Sequence, residues 1–301
     1  MKKYLFFLIF LLSSYSVHAQ NIQIDADQKV EWYRDEQKII AYGNAIATKN
    51  NDTLKGDKLT AFYETIQSEN QPAKDQLRKI IAEGNASATK NNNILTGKQL
   101  TAIYETIQLE NGTKKNQLQK ILSDKDVTIK MNNSTGLGEH FDYDIPTEIA
   151  KLTGKPAKLN SENGEITATD HITYYLKENK SIAMGNVVAK NHDYTIYSNK
   201  MIGYFEKDKQ GQNKLKYVEI IADNNPIKIV NQQAEVTGEK GIYLPLENKI
   251  KIYNNVVINQ NNDILKGNYA ETDLKTGISR LLGQQGKNGR VFGVFRNKNK
   301  K

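Results

Sequence analysis

The sequence predicts an all-β chain built from tandem antiparallel units, on three observations. First, residues 43–70 read GNAIATKNNDTLKGDKLTAFYETIQSEN and residues 84–111 read GNASATKNNNILTGKQLTAIYETIQLEN, with 20 of 28 positions identical at a period of 41. Fixed-period self-similarity marks a repeat architecture. Second, apolar residues alternate with polar ones along most of the chain, most cleanly at Ile227/Ile229, Ala234/Val236 and Ile250/Ile252. That period belongs to a strand with one buried face. Third, Asn and Gly recur between the alternating runs, where tight turns need residues that tolerate positive φ. The apolar fraction is only 38%, which suits a thin two-faced sheet that buries one side.

The first segment is an address. Met1, Lys2 and Lys3 form a short positive region, Tyr4 to Leu12 an apolar run, and Val17-His18-Ala19 a small-residue cleavage site. Residues 1–19 therefore read as a signal peptide cut before Gln20, leaving about 280 residues for the exported chain. The sequence holds no Cys, so neither disulfides nor thiolate chemistry are available, and the fold rests on burial and backbone pairing.

A partial copy of the repeat, IQIDADQKVEWYRDEQKIIAYGN, opens the body. After the near-identical pair come looser copies near Lys125, Gly154, Gly185, Asn224 and Asn254. Each unit reads as a Gly-Asn or Asn-Asn turn, a short strand, an Asn-rich turn such as Lys49-Asn50-Asn51-Asp52, a second strand ending in Tyr, Phe or Leu, and a returning third strand. That grammar gives roughly twenty short strands in an elongated stack, each unit supplying a wall its neighbour lacks. Polar insertions such as ENQPAKDQLRK read as extended hairpin tips, with one exposed helical turn expected at 72–78. No linker interrupts residues 20–283, so they are expected to form one continuous domain, followed by a basic tail at 284–301. The tail carries Lys287, Arg290, Arg296, Lys298, Lys300 and Lys301 without an acid, against a net charge of +8 for the whole. The tail reads as a frayed solvated terminus; attraction to anionic phosphates or a membrane surface is the sharper alternative. No basic stripe with stacking aromatics runs along the body, so nucleic acid is not expected as a partner.

Superposing the units on their turn glycines places Leu59, Ala61 and Tyr63 on one strand face. The equivalents are Leu100, Ala102 and Tyr104, then Phe141, Tyr143 and Ile145. Later units supply Ile172, Tyr174 and Leu176, then Met201 and Phe205, then Ile242, Leu244 and Leu246. These residues form an apolar stripe with two readings. It is either a packed core or a lumen that accepts acyl chains, where each buried methylene contributes about 0.8 kcal/mol. No convergent titratable set points to catalysis, and no cofactor is implied. His140, Asp142 and Asp144 alternate along one strand face, which reads as a solvated polar edge and not as a metal site.

The phrases ITATDHITYYLKENKSIAMGNVVAKNHDYTIYSNKMIGYFE and IKIVNQQAEVTGEKGIYLPLENKIKIYNNVVINQNNDILKGNYAETDLKTG resemble the OstA-like domain. The carrying residues are Ala168, Tyr174, Gly185-Asn186-Val187, Gly238, Tyr243, Asn255-Val256, Leu265-Lys266-Gly267 and Asp273. This is the family of periplasmic lipopolysaccharide-transport proteins that includes LptA and the N-terminal part of LptD. The resemblance implies an elongated antiparallel β-jelly-roll, or β-taco, open at both ends, with lipid A acyl chains in its groove. It implies a head-to-tail homo-oligomer, or pairing with OstA-like domains of inner- and outer-membrane transport components, in the periplasm. It brings no catalytic residues. The chain is longer than a typical LptA, by the extra repeat at 43–111, and has none of LptD's cysteines. A structural or adhesive β-solenoid with a filled core is the rival reading. A carbohydrate-active β-helix enzyme needs carboxylates clustered on consecutive rungs, which this sequence does not offer.

Overall fold

Asn and Gly pairs inside alternating runs let a strand bend without ending, and this shapes the molecule. The computed structural model describes residues 22–68, 71–108, 114–131, 133–209, 211, 213–223, 225–260, 263–274, 279–283 and 290–294. The expected signal peptide and most of the basic tail lie outside the described residues. Among the described residues there are 22 strands and no helix. The segment 72–78, expected as a helical turn, lies within a strand. Its charged residues fit a long hairpin arm as readily as a helix face. Where the sequence suggests one domain over 20–283, the chain groups into two units that divide between Gly154 and Lys155.

The first unit contains β1 (Gln23–Asp25), β2 (Lys29–Tyr33), β3 (Lys38–Lys49), β4 (Asp52–Ser68), β5 (Gln71–Lys90), β6 (Asn93–Gln108), β7 (Lys114–Met131), β8 (Ser134–Asp144) and β9 (Ile149–Thr153). The second contains β10 (Ala157–Ser161), β11 (Gly164–Ala168), β12 (His171–Tyr175), β13 (Lys180–Lys190), β14 (Tyr194–Lys207), β15 (Asn213–Ile221), β16 (Ile227–Asn231), β17 (Ala234–Gly238), β18 (Lys240–Leu244), β19 (Lys249–Gln260), β20 (Asp263–Asp273), β21 (Ser279–Leu282) and β22 (Phe292–Val294). All pairing within each unit is antiparallel.

The Gly-Asn pairs, expected as hairpin turns, are instead corners in the middle of strands. Gly43 and Asn44 have φ of 82° and 42°, and Gly185 and Asn186 have 85° and 39°. Gly84-Asn85, Lys125-Asp126 and Asn254-Asn255 repeat the pattern. Opposite Gly43-Asn44 the ladder steps from Tyr42↔Lys58 to Ala45↔Gly56, so two residues face one. This is a β-bulge, which bends the bulged strand. Two left-handed residues close a hairpin only when the chain reverses upon itself. Here the partner strand runs on beside them, and both bend together.

Each long strand therefore contributes one half to each of two layers. In the first unit, one layer holds β1, 45–49, 52–56, 86–90, 93–97, 127–131 and 134–138. The other holds β2, 38–42, 58–68, 71–83, 99–108, 114–124, 140–144 and β9. The second unit repeats the plan. Its first layer runs β10, β11, 187–190, 194–197, β16, β17, 256–260, 263–267 and β22. Its second runs β12, 180–184, 200–207, β15, β18, 249–253, 269–273 and β21. At the corners, asparagine amides reach acids of the neighbouring segment: Asn44 Nδ2 donates to Asp27, between β1 and β2, at 2.8 Å and Asn85 Nδ2 to Asp57 of β4 at 3.2 Å.

Close to the corners the layers touch. A Cβ on Gly97 would stand 2.3 Å from Ser123 Oγ, and one on Gly238 2.4 Å from Ile252 Cγ2. In both cases the glycine is in one layer and its obstacle in the other. A larger residue at either position must displace a side chain of the facing layer.

Candidate functional site

Side chains directly opposite in a ladder share a face, so the register traces the interior of each unit row by row. In the first unit one row runs Ala41, Leu59, Ala82, Leu100, Ser123, Phe141 and Leu152, each at most 7% exposed. A second runs Ile39, Ala61, Ile80, Ala102, Ile121, Tyr143 and Ala150. The facing layer contributes Ala45, Ala47, Ala86, Leu95, Val127 and Ile129, all buried. The interior of the duplicated repeat is thus lined largely by alanine. At the side away from the corners, an inward ion pair, Lys90 Nζ to Asp52 at 2.8 Å, crosses between neighbouring strands.

The second unit is lined by bulkier groups. One row runs Ile172, Ala183, Met201, Ile220, Gly241, Ile252 and Ala270, and all of these are buried. The facing layer runs Ile196, Ile229, Val236 and Ile258, buried in turn. Tyr194 and Tyr243 tie the two layers together with ring centroids 6.1 Å apart at 63°. Beside Tyr194 lies a cavity of about 70 Å³ whose lining includes Ile229, Val236, Ile250, Ile252 and Ile258. Ile252 and Ile258 flank the Asn254-Asn255 corner of one strand, so both halves of β19 face the same space.

Most of the residues expected on the stripe lie on these inner faces. Leu59, Ala61, Leu100, Phe141, Tyr143, Ile172, Tyr174, Leu176, Met201 and Phe205 are buried, while Tyr63, Ala102, Tyr104 and Ile145 are half-buried. Ile145 sits in the turn after β8 and Leu176 in the turn after β12. The last triplet is misplaced. Ile242 pairs with Glu219 and Lys251 on the outer face of β18, whereas Gly241 pairs with Ile220 and Ile252 inside. The inward residues are therefore Gly241, Tyr243 and Pro245. Ile242 and Leu244 are half-buried on the outer face, and Leu246, in the turn, is 45% exposed. Aligning the shared Glu-Asn-Lys of 178–180 and 247–249 sets Tyr174 against Tyr243 and recovers the register. The stripe also omitted the facing layer. Its signal was the alternation just after each corner, as in Ala45/Ala47, Val127/Ile129 and Val256/Ile258.

The acids and histidine considered as a polar edge are engaged locally. His140 Nδ1 lies 2.6 Å from Asp124, Asp142 pairs with Lys120 at 2.8 Å, and Asp144 accepts from the Thr147 amide. The interior's titratable groups are tyrosines. Burial, reinforced by Asp52, pushes the Tyr104 hydroxyl up to about 12. Burial, with Glu148 and Asp144, does the same for Tyr143. Burial also raises Tyr194, helped by Tyr243. A phenol with a raised folded-state pKa contributes stability that is complete below its unfolded value of about 10 and lost as pH rises through the folded value. Tyr104 and Tyr143 should together lose up to a few kcal/mol between about pH 10 and 12. Urea midpoints across that range should fall, and the fall should be shallower in Tyr104→Phe/Tyr143→Phe; an equally steep fall would contradict the assignment.

Two antiparallel layers folded from the same strands around an apolar interior define a β-jelly-roll with no convergent catalytic set among the described residues. The sequence profile of the family described as LptA/(LptD N-terminal domain) LPS transport protein matches residues 65–180 and 169–278, and the chain belongs to that family. Its members are transport proteins. Among solved structures, the chain is similar to LptH of Pseudomonas aeruginosa, described as the LptA homologous periplasmic component of the conserved lipopolysaccharide transport device. The match has 15% identity and a TM-score of 0.37, and covers 44% of this chain and 94% of that one. No curated protein sequence matches.

Proposed function

We propose that this chain is an exported periplasmic lipopolysaccharide-binding protein. It carries lipid A acyl chains between its two layers and helps bridge the inner and outer membranes. The observation that carries the reading is the succession of mainly apolar rows on the inner face of each unit, joined to membership of a lipopolysaccharide-transport family. Within one unit, rows of similar character give a sliding alkyl chain similar free energy at each step. The packed interior means that acyl chains enter by parting the layers.

Bridging is supported by the sheet edges. Among the described residues β1 and β2 pair only with β3. Val30 and Trp32 belong to the inner rows by register yet are 52% and 55% exposed. In the second unit, among the described residues, β21 and β22 pair only with β20, and Leu282 and Phe292, on the outer face by register, are exposed. Unpaired edges of this kind accept strands from another chain. Head-to-tail pairing with a second copy, or with related domains of the transport machinery, would cover the inner-row side chains of Val30 and Trp32. The leader at 1–19 would be removed on export.

A filled β-solenoid without ligand is the second reading, favoured by the small cavity. A photoreactive residue at Ile172, inside, and at Leu244, outside, separates the two. Lipid transport expects crosslinking to lipopolysaccharide from Ile172 and little from Leu244. Absence of a crosslink from Ile172, with no acylated glycolipid in solvent extracts of the purified protein, would leave the solenoid.

A further inference from the structure

Two asparagines stand at matching points of the two units. In β7, Leu118 opposes Tyr104, and Asn116 precedes it by two residues. In β15, Leu215 opposes Phe205, and Asn213 precedes it by two residues. Each pair follows a bulge in the ladder, between Ile103 and Tyr104 and between Tyr204 and Phe205. Alternation from Leu100 and Ala102, and from Met201 and Gly203, directs the aromatic, the leucine and the asparagine to the inner face.

Each asparagine uses one end of its amide. Asn116 Nδ2 donates to the Leu77 carbonyl at 2.6 Å. A carbonyl only accepts, so the amide orientation follows. Asn213 Nδ2 donates to the Tyr174 hydroxyl at 3.0 Å, and Asn213 is 4% exposed. Both Oδ1 atoms are buried and have no hydrogen-bond partner. A buried acceptor without a donor is costly and uncommon in a native fold. Finding the same unmet acceptor at equivalent places in both units, two residues from the leucine that opposes Tyr104 in the first and Phe205 in the second, indicates a requirement of the interior that its own side chains do not meet.

We infer that Asn116 and Asn213 read a hydroxyl on the alkyl chain held between the layers, so that the interior selects hydroxylated over plain hydrocarbon chains. This rests on the lumen reading above and names the chain chemistry the lumen prefers. The O–H of the ligand donates to Oδ1 while the flanking aromatic packs on its methylenes. A plain chain covers the same surface but leaves the acceptor unmet. A site built to bond a hydroxyl discriminates against the analogue without one, whereas purely apolar walls discriminate weakly.

The test uses the exported chain and dodecanoic acid beside its 2-, 3- and 12-hydroxy derivatives, titrated by competition with a fluorescent alkyl probe. At least one hydroxylated chain should bind about fivefold or more tightly than the parent, as one net hydrogen bond allows. In Asn116→Leu/Asn213→Leu that ratio should collapse to within about twofold while the parent's affinity is kept. Either single variant gives the same reading with a smaller change if the double variant does not fold. Equal affinity for all chains in the wild type, or a preference that survives in the variants, overturns the inference while lumen binding stands. Failure of every chain to bind, together with no lipopolysaccharide crosslink from Ile172, overturns the lumen and this inference together.

Discussion

Ile252→Asp is expected to unfold the second unit, whereas Leu244→Asp should be nearly silent. Ile252 is fully buried, opposite Gly241 and Ala270 in one layer and against Gly238 of the other. A carboxylate there has no cation within its row. Burying it unpaired, together with the lost hydrocarbon contact, should cost about 5 kcal/mol, comparable to a domain's whole stability. Leu244 lies on the outer face of the adjoining strand, paired with Lys249. An aspartate there meets water and a lysine, and should cost under about 1 kcal/mol. Urea denaturation of the two variants should separate them by several kcal/mol. A severe Leu244→Asp with a mild Ile252→Asp would reverse the assignment of faces.

Gly138→Val is expected to destabilise the first unit by about 3 kcal/mol, the upper range for overpacking. Gly138 is opposite Val127 at the corner row, and a Cβ there would lie 2.6 Å from the Thr153 carbonyl oxygen and 2.7 Å from Leu152 Cδ1. The oxygen belongs to backbone of the other layer, so relief requires the layers to separate. Gly97 provides the contrast. Its nearest obstacle is the Ser123 hydroxyl at 2.3 Å, with the Asp124 carbonyl next at 3.1 Å. Gly97→Ala should therefore be partly rescued by Ser123→Ala, measured as a coupling in a double-mutant cycle. No rescue of Gly97→Ala, or a silent Gly138→Val, would show that the layers are not in contact at the corner.

The inner rows were legible wherever alternation was strong and the turn chemistry unambiguous. Ile227/Ile229 and Ile250/Ile252 are visible as alternating pairs and are buried as alternation requires. Tyr174 and Phe205, expected on one stripe, meet edge to face at 5.6 Å. Ile242, Leu244 and Leu246 failed because a strand has period 2. A slip of one residue in aligning two repeats moves every side chain to the opposite face. Nothing within KGIYLPL distinguishes the two choices, because both faces carry apolar residues. The asparagines at 116 and 213 were invisible for another reason. A lone Asn in a polar hairpin arm looks solvated until the neighbouring strands enclose it.

By itself the sequence determined that this chain is β throughout its described body, that it repeats, and where its backbone takes up left-handed conformations. Those properties depend on neighbours in the chain: alternation, duplication, and the tolerance of Gly and Asn for positive φ. Only the tertiary structure decided whether a Gly-Asn pair reverses a strand or merely bends it. The same two dihedral pairs serve both outcomes. The choice depends on whether the partner strand ends or runs on alongside, and that is a property of two segments together. The same holds for which faces became interior, since a face is inside only once the second layer has closed over it.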